Sequence, residues 1–316
     1  LGGATLKRYI GIRIVYLLLT LFIITTATFF LMKALPGTPF DEEKLQQLPQ
    51  EQRQMIYASY GLDKPVGVQY VNYLKNIVKG DLGTSFFYTG QPVKDIIMSR
   101  IGPSALIGLQ AVLLGLAIGM ILGIIAAYRH NSGWDYATMI IAVLGVSVPN
   151  FVLAALLQYF VGLKWGLLPV AFWESYPSSI LPSIALCVGV IALIARFVRT
   201  EMLEVLEQDY VTTAKAKGLG FARIMFQHVI RNSLISVITI LGPIVVNLLT
   251  GSLVIENIFG IPGIGSLFVD SIKMNDYSTI MGITIFYSAF YVFVMLIVDL
   301  LYGLVDPRIR LATGKE

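Results

Sequence analysis

Charge is scarce in this chain: Asp, Glu, Lys and Arg together make 13% of its residues, about half of what a soluble domain carries. Hydrophobic residues reach 56% and the mean hydropathy is +0.76. A soluble chain of 316 residues cannot hide that much apolar surface, whereas lipid solvates it. Cysteine is almost absent. Cys187 stands alone in an apolar run, which excludes an intrachain disulfide and leaves the redox compartment open. The two histidines, His130 and His228, fall in separate connections with no cluster of ligands beside them, so neither reads as a metal or catalytic residue. No Gly-x-x-x-x-Gly-Lys-Ser/Thr occurs, so the chain is not expected to hydrolyse ATP itself. Gly260-Ile-Pro-Gly-Ile-Gly265 lacks the lysine of a phosphate loop, and Gly145-Val-Ser-Val-Pro149 lacks the closing glycine of a nucleophile elbow.

What is present is a set of long charge-free runs. They are Ile14–Met32, Ile101–Tyr128, Tyr136–Leu163, Ser175–Ala195, Asn232–Ile255 and Tyr277–Val298. A helix needs about 20 apolar residues to cross the hydrocarbon core, and each run is long enough. None alternates strictly as a barrel strand would, so an all-α polytopic membrane protein with six transmembrane helices is expected. The first run is longer than the core of a signal peptide, and no small-residue cleavage site follows it.

Lysine and arginine set the orientation. With the N-terminus inside, Lys7, Arg8, Arg13, Arg129, Arg196, Arg199, Lys215, Lys217, Arg223, Arg231, Arg308, Arg310 and Lys315 all fall on the cytoplasmic side. The short external loops keep only Lys164 and Lys273. Both termini are therefore expected inside. The chain divides into a tail (1–8), a first span (9–35), an extracytoplasmic cap (36–100), a five-helix core (101–311) that carries a cytoplasmic segment (196–231), and a C-terminal tail (312–316).

Within the cap, apolar residues at 68, 71, 74, 77 and 78 recur at helical spacing, which predicts a small, partly helical lid. Pro149, Pro182 and Pro243 punctuate the spans and mark candidate kinks. Gly115, Gly119 and Gly123 share one helical face, a stripe suited to close helix packing. Glu256 closes the fifth run on the external side and is the candidate acidic residue of a substrate path, with Asp299 a weaker one.

The most informative stretch is polar. It runs Asp209-Tyr-Val-Thr-Thr-Ala-Lys-Ala-Lys-Gly218, then on to Ile230-Arg231-Asn232. Asp209 can cap a short helix through the N–H of Val211 or Thr212. Thr213, Ala214 and Ala216 are small enough for another surface to approach. Lys215 and Lys217 suit the negative end of the helix dipole, and Gly218 supplies a left-handed stop. An amphipathic helix on the inner leaflet would read much the same.

This stretch resembles the cytoplasmic signature of ABC importer permeases, a Glu-Ala-Ala triplet followed at fixed spacing by glycine. Thr212-Thr213-Ala214 stands at the triplet and Gly218 at the glycine, so Ala214 and Gly218 alone match strictly. Arg231-Asn232 looks like the Arg-Asn version used by peptide and nickel permeases. Leu35-Pro-Gly-Thr-Pro-Phe40, Tyr60-Gly-Leu-Asp-Lys-Pro65, Asp81-Leu-Gly-Thr-Ser85, Val146-Ser-Val-Pro-Asn-Phe151, Ile255-Glu-Asn-Ile-Phe-Gly-Ile-Pro-Gly-Ile-Gly265 and Leu304-Val-Asp-Pro-Arg-Ile-Arg310 resemble further blocks of that family, in order, over residues 6 to 311.

The resemblance, which is nearest to the B-type permease of oligopeptide importers, implies a type I importer permease fold. It implies a pairing with a second related permease, two cytoplasmic ATPase subunits that hold ATP and Mg, and an external peptide-binding protein. This chain would hold no cofactor and bind no nucleic acid. Asp209, Thr212, Thr213, Ala214, Lys215, Gly218, Arg231 and Asn232 would then form the ATPase-coupling set. A dipeptide or nickel permease is the alternative within the family. A self-sufficient secondary peptide transporter is the alternative outside it, and it would need a mid-bilayer carboxylate that the six run centres lack.

Overall fold

The computed structural model describes residues 2–34, 40, 45, 47–88, 90–249 and 252–305, with the backbone alone for 2–10, 234, 235, 239 and 299–305. Among them no strand occurs. The helices are α1 (Gly2–Ala34), α2 (Gln50–Ser59), α3 (Val66–Val78), α4 (Val93–Tyr128), α5 (Gly133–Ser147), α6 (Asn150–Leu157), α7 (Ile180–Leu206), α8 (Asp209–Ala216), α9 (Phe221–Ile224), α10 (Ile230–Leu249), α11 (Leu253–Phe259), α12 (Ile264–Lys273) and α13 (Tyr277–Val305).

By length and composition five segments are able to span a membrane: Gly11–Ala34, Val93–Tyr128, Tyr176–Leu206, Ile240–Phe259 and Tyr277–Val298. The third apolar run supplies a sixth, but as a broken one. Its halves, Gly133–Ser147 and Asn150–Lys164, meet at 93°. Pro149 explains the break, because proline lacks the N–H that would continue the ladder and pushes Val148 into an extended conformation (ψ 118°). The other prolines behave differently. Pro182 falls in the first turn of α7, where N–H groups have no intrahelical partner anyway. Pro243 lies inside α10, and Pro103 inside α4. The boundary drawn between cap and core at residue 100 falls inside α4, which starts at Val93.

The core is built on α4 against α7, the most extensive helix pair in the molecule. The glycine stripe makes this approach. A side chain on Gly119 would come within 2.8 Å of Ile194 Cβ and 2.9 Å of the Ile191 carbonyl, and one on Gly123 within 2.7 Å of the Ala195 carbonyl. α5, α6 and α10 pack around that pair. A second cluster forms where Val93, Ile96 and Ile97 of α4 meet Ile264 and Leu267 of α12 and Ile283 of α13. α1 lies outside the core and contacts chiefly α13, with Val15, Leu18, Phe22 and Leu31 exposed.

The cap segment is helical, as its spacing predicted, in α2 and α3. It is tied down at both sides. Tyr70 of α3 shares a 2.7 Å hydrogen bond with Thr26 of α1. Buried Asp276, just before α13, accepts from the hydroxyl of Ser85, the N–H of Phe86 (3.0 Å) and both N–H and hydroxyl of Thr279. The end of α1, the start of α13 and the cap therefore share one end of the molecule.

Candidate functional site

α7 runs unbroken to Leu206 at the opposite end of the molecule, and two residues later the chain turns into α8. The expected cap is not at Asp209. Gln208 occupies the N-cap position, and its carbonyl accepts from the N–H groups of Val211 (3.0 Å) and Thr212 (3.1 Å). Asp209 is the first helical residue, placed to favour the positive end of the helix dipole.

The far end of α8 matches the sequence reading. Gly218 has φ +77°, the N–H of Gly218 donates to the Lys215 carbonyl (3.0 Å), and that of Leu219 to the Ala214 carbonyl (3.3 Å). This crossed pair is a Schellman stop, and Leu219 packs on the core beyond it.

The two faces of α8 divide the candidate residues. Val211 (0% exposed) and Ala214 (6% exposed) point into the chain's own core, beside Met202 of α7 and Ile224 and Met225 after the turn. Asp209, Thr212, Thr213 and Lys215 are exposed, with Tyr210, Ala216 and Lys217. Ala214 is therefore small because α8 lies close against the membrane core, and not because its methyl meets solvent.

Asn232 and Arg231 come to the same place from α10. Asn232 Nδ2 donates to the Tyr210 hydroxyl at 2.8 Å, which pins α8 to the base of α10, while Arg231 is exposed. Tyr210 is a partner that the residue pattern alone did not reveal.

Close by, a polar cluster joins α5 to α7. Asp135 is 1% exposed and accepts from Arg199 Nε (2.6 Å) and Nη2 (2.9 Å) and from the N–H of Asn131 (3.0 Å), with His130 Nδ1 at 3.0 Å. A fork-shaped guanidinium on one carboxylate fixes both distance and angle between two helices. No sequence signal pointed to it, because the partners lie 64 residues apart.

Glu256 sits at the cap end and is 2% exposed. One oxygen accepts from the Ser104 hydroxyl of α4 at 2.7 Å, and the other from the Ser266 N–H of α12 at 2.9 Å. Ser104 Oγ in turn accepts from the Ile264 N–H at 2.9 Å. The carboxylate thus satisfies the first turn of α12 and ties α4, α11 and α12 together; it does not stand on an open surface. The side chain of Asp299 lies outside the described residues. Among the described residues, no three His, Cys, Asp or Glu side chains group as metal ligands would.

Comparison with known proteins agrees with this architecture. Residues 119–311 match the family described as binding-protein-dependent transport system inner membrane component, and residues 6–105 its N-terminal companion. The chain is 46% identical to the dipeptide transport system permease protein DppB of Bacillus subtilis, over 97% of this chain and 99% of that one. It is 41% identical to the oligopeptide transport system permease protein OppB of Haemophilus influenzae, over 96% and 99%. The fold is also that of a chain in the crystal structure of an amino acid ABC transporter with histidines, with a TM-score of 0.54 at 15% identity, covering 66% of this chain and 94% of that chain. With that family's model matched over residues 119–311 and relatives 41–46% identical over nearly the whole chain, this chain belongs to the binding-protein-dependent transport system inner membrane component family.

Proposed function

We propose that this chain is a permease subunit of an ATP-driven importer that moves short peptides inward across the bacterial cytoplasmic membrane. The observation that carries the coupling part of this reading is the construction of α8. The helix is held by its buried face, its Schellman stop and the Tyr210–Asn232 bond, and it offers a small polar face built by Asp209, Thr212, Thr213 and Lys215. A helix so anchored moves with α7 and α10 as one body. A soluble ATPase that grips the exposed face would therefore shift the membrane helices.

ATP and Mg belong, on this reading, to two separate ATPase subunits. A second related permease completes the pathway, and an external binding protein delivers the peptide. Both termini lie inside, which places α8 in the cytoplasm and the cap outside. Support for a peptide as cargo comes from the names of the relatives, which cover dipeptides and oligopeptides alike. Identity to the two kinds of relative is close, 46% and 41%, so the length of the peptide is decided by the uptake assay below.

The test separates the two faces of α8. Thr213→Trp enlarges the exposed face only, and should leave membrane abundance unchanged while ATPase retention on pull-down and peptide uptake are lost. Full retention and full uptake in this variant would reduce α8 to a helix on the inner leaflet. Uptake of a labelled dipeptide, competed by di-, tri- and pentapeptides, then ranks the cargo by length.

A further inference from the structure

We infer that α3 is an interfacial helix, lying in the leaflet that the C-terminal end of α1 meets, with Val71, Leu74 and Val78 in the lipid. The cap is then partly a membrane anchor and not only a lid.

Depth is set by what α3 touches. Tyr70 bonds Thr26, and the Tyr70 and Tyr73 rings lie 5.3 and 5.4 Å from that of Phe29, with Phe30 at 5.2 Å from Tyr70. Thr26 stands eight residues before the end of α1 at Ala34, or about 12 Å of helix at 1.5 Å per residue. α1 around it is a lipid-facing helix, with Phe22, Ile23, Phe30 and Leu31 exposed. α3 is therefore packed against α1 below the level at which α1 ends. Tyrosines at this depth suit the boundary between headgroups and acyl chains.

The two flanks of α3 agree with that depth. Residues 71, 74 and 78 follow helical spacing along one flank and are Val, Leu and Val. Val78 is 88% exposed and Val71 47%, and Leu74 between them is half-buried. The other flank carries Gln69, Asn72 and Asn76, which line a cavity of about 580 Å³ beneath Tyr57–Leu62 and Asp81–Gly83. One flank thus faces polar cap and the other faces away from it, toward the side on which α1 descends. Lys75 and Lys79 lie between the flanks and are exposed, where they can reach lipid phosphates. An apolar flank, a polar flank and cations at the border are the requirements of a helix lying in an interface.

The inference rests on α1 being a membrane span and not on the cargo, so a failed transport assay leaves it untouched. The test uses the full chain, with Cys187→Ala as background, in nanodiscs of phosphatidylcholine and phosphatidylglycerol. A bimane label is placed at Val78→Cys, Val71→Cys or Asn76→Cys. Because Val78 is so exposed, its replacement does not disturb packing. At positions 78 and 71 the label should be blue-shifted, quenched by lipids brominated on the acyl chains, and insensitive to aqueous iodide. At position 76 the lipid effect should be absent. Iodide quenching at 78 and 71 with no bromolipid effect would overturn the inference. So would shielding of position 78 that arises only when the partner permease or external binding protein is added, which would make this flank a protein-docking surface instead.

Discussion

The carboxylate of Glu256 occupies the space in which a side chain on Gly263 would have to sit: a Cβ built there collides with Glu256 Oε2 and Ser104 Oγ. Two residues seven apart thus share one volume, with glycine giving way so that a buried carboxylate reaches the start of α12. Gly263→Ala should displace Glu256, leave buried N–H groups of α12 unpaired and cost about 1–3 kcal/mol. Thermal unfolding of the purified chain would show it, and Glu256→Ala should lower the midpoint similarly. Since both act on one network, the double variant should fall well short of the sum. Full additivity would mean that the two residues act independently.

The same geometry bears on transport. A carboxylate held by Ser104 and Ser266 is not available to a peptide amine, so Glu256→Gln should weaken uptake of free and N-acetylated peptides equally. A loss confined to free-amine peptides would return Glu256 to the substrate path.

The pair Asp135–Arg199 predicts an asymmetry. Asp135 is nearly inaccessible, whereas the Arg199 side chain keeps 22% of its exposure. Arg199→Ala leaves a buried carboxylate with only His130 and the Asn131 N–H, at a cost of about 3 kcal/mol. Asp135→Ala releases an arginine that water can still reach, and should cost less. The order of the two unfolding midpoints in detergent tests this; the reverse order contradicts it.

Gly218 offers a purely conformational test. A Cβ there would meet no atom within 4 Å, so its left-handed φ of +77° is the whole constraint. Gly218→Val should cost about 1–2 kcal/mol of local stability through backbone strain, and Gly218→Asn much less, since asparagine tolerates this region. Hydrogen exchange at the end of α8 would rank them. Equal exchange in both variants would show that the Schellman stop does not depend on glycine.

Sidedness is checked by labelling. On a Cys187→Ala background, a cysteine at exposed Ser59 should react with an impermeant maleimide on intact cells, and one at exposed Gln208 only after permeabilisation. Reaction at Gln208 from outside would invert the proposed topology.

Hydropathy by itself determined which stretches are long and apolar enough to cross lipid, since an uncharged run of that length has no other stable solvent. Residue type likewise determined the close helix contact at Gly115, Gly119 and Gly123 and the left-handed stop at Gly218, because in each case the missing side chain is the mechanism. The helical cap at 66–78 was legible for the same reason: its period is local. Tertiary structure alone decided which way each surface turns. Ala214 reads as a small residue open to a partner until its helix is docked, when it faces inward and Thr212 and Thr213 face out. Glu256 reads as a charge at a membrane edge until Ser104, 152 residues away, donates to it. Pro149 marked a break, but its 93° angle follows from how α5 and α6 pack separately on α7. Local propensity acts through neighbours in the chain, whereas the direction of a face is set by whatever packs against it, and those partners are distant in sequence.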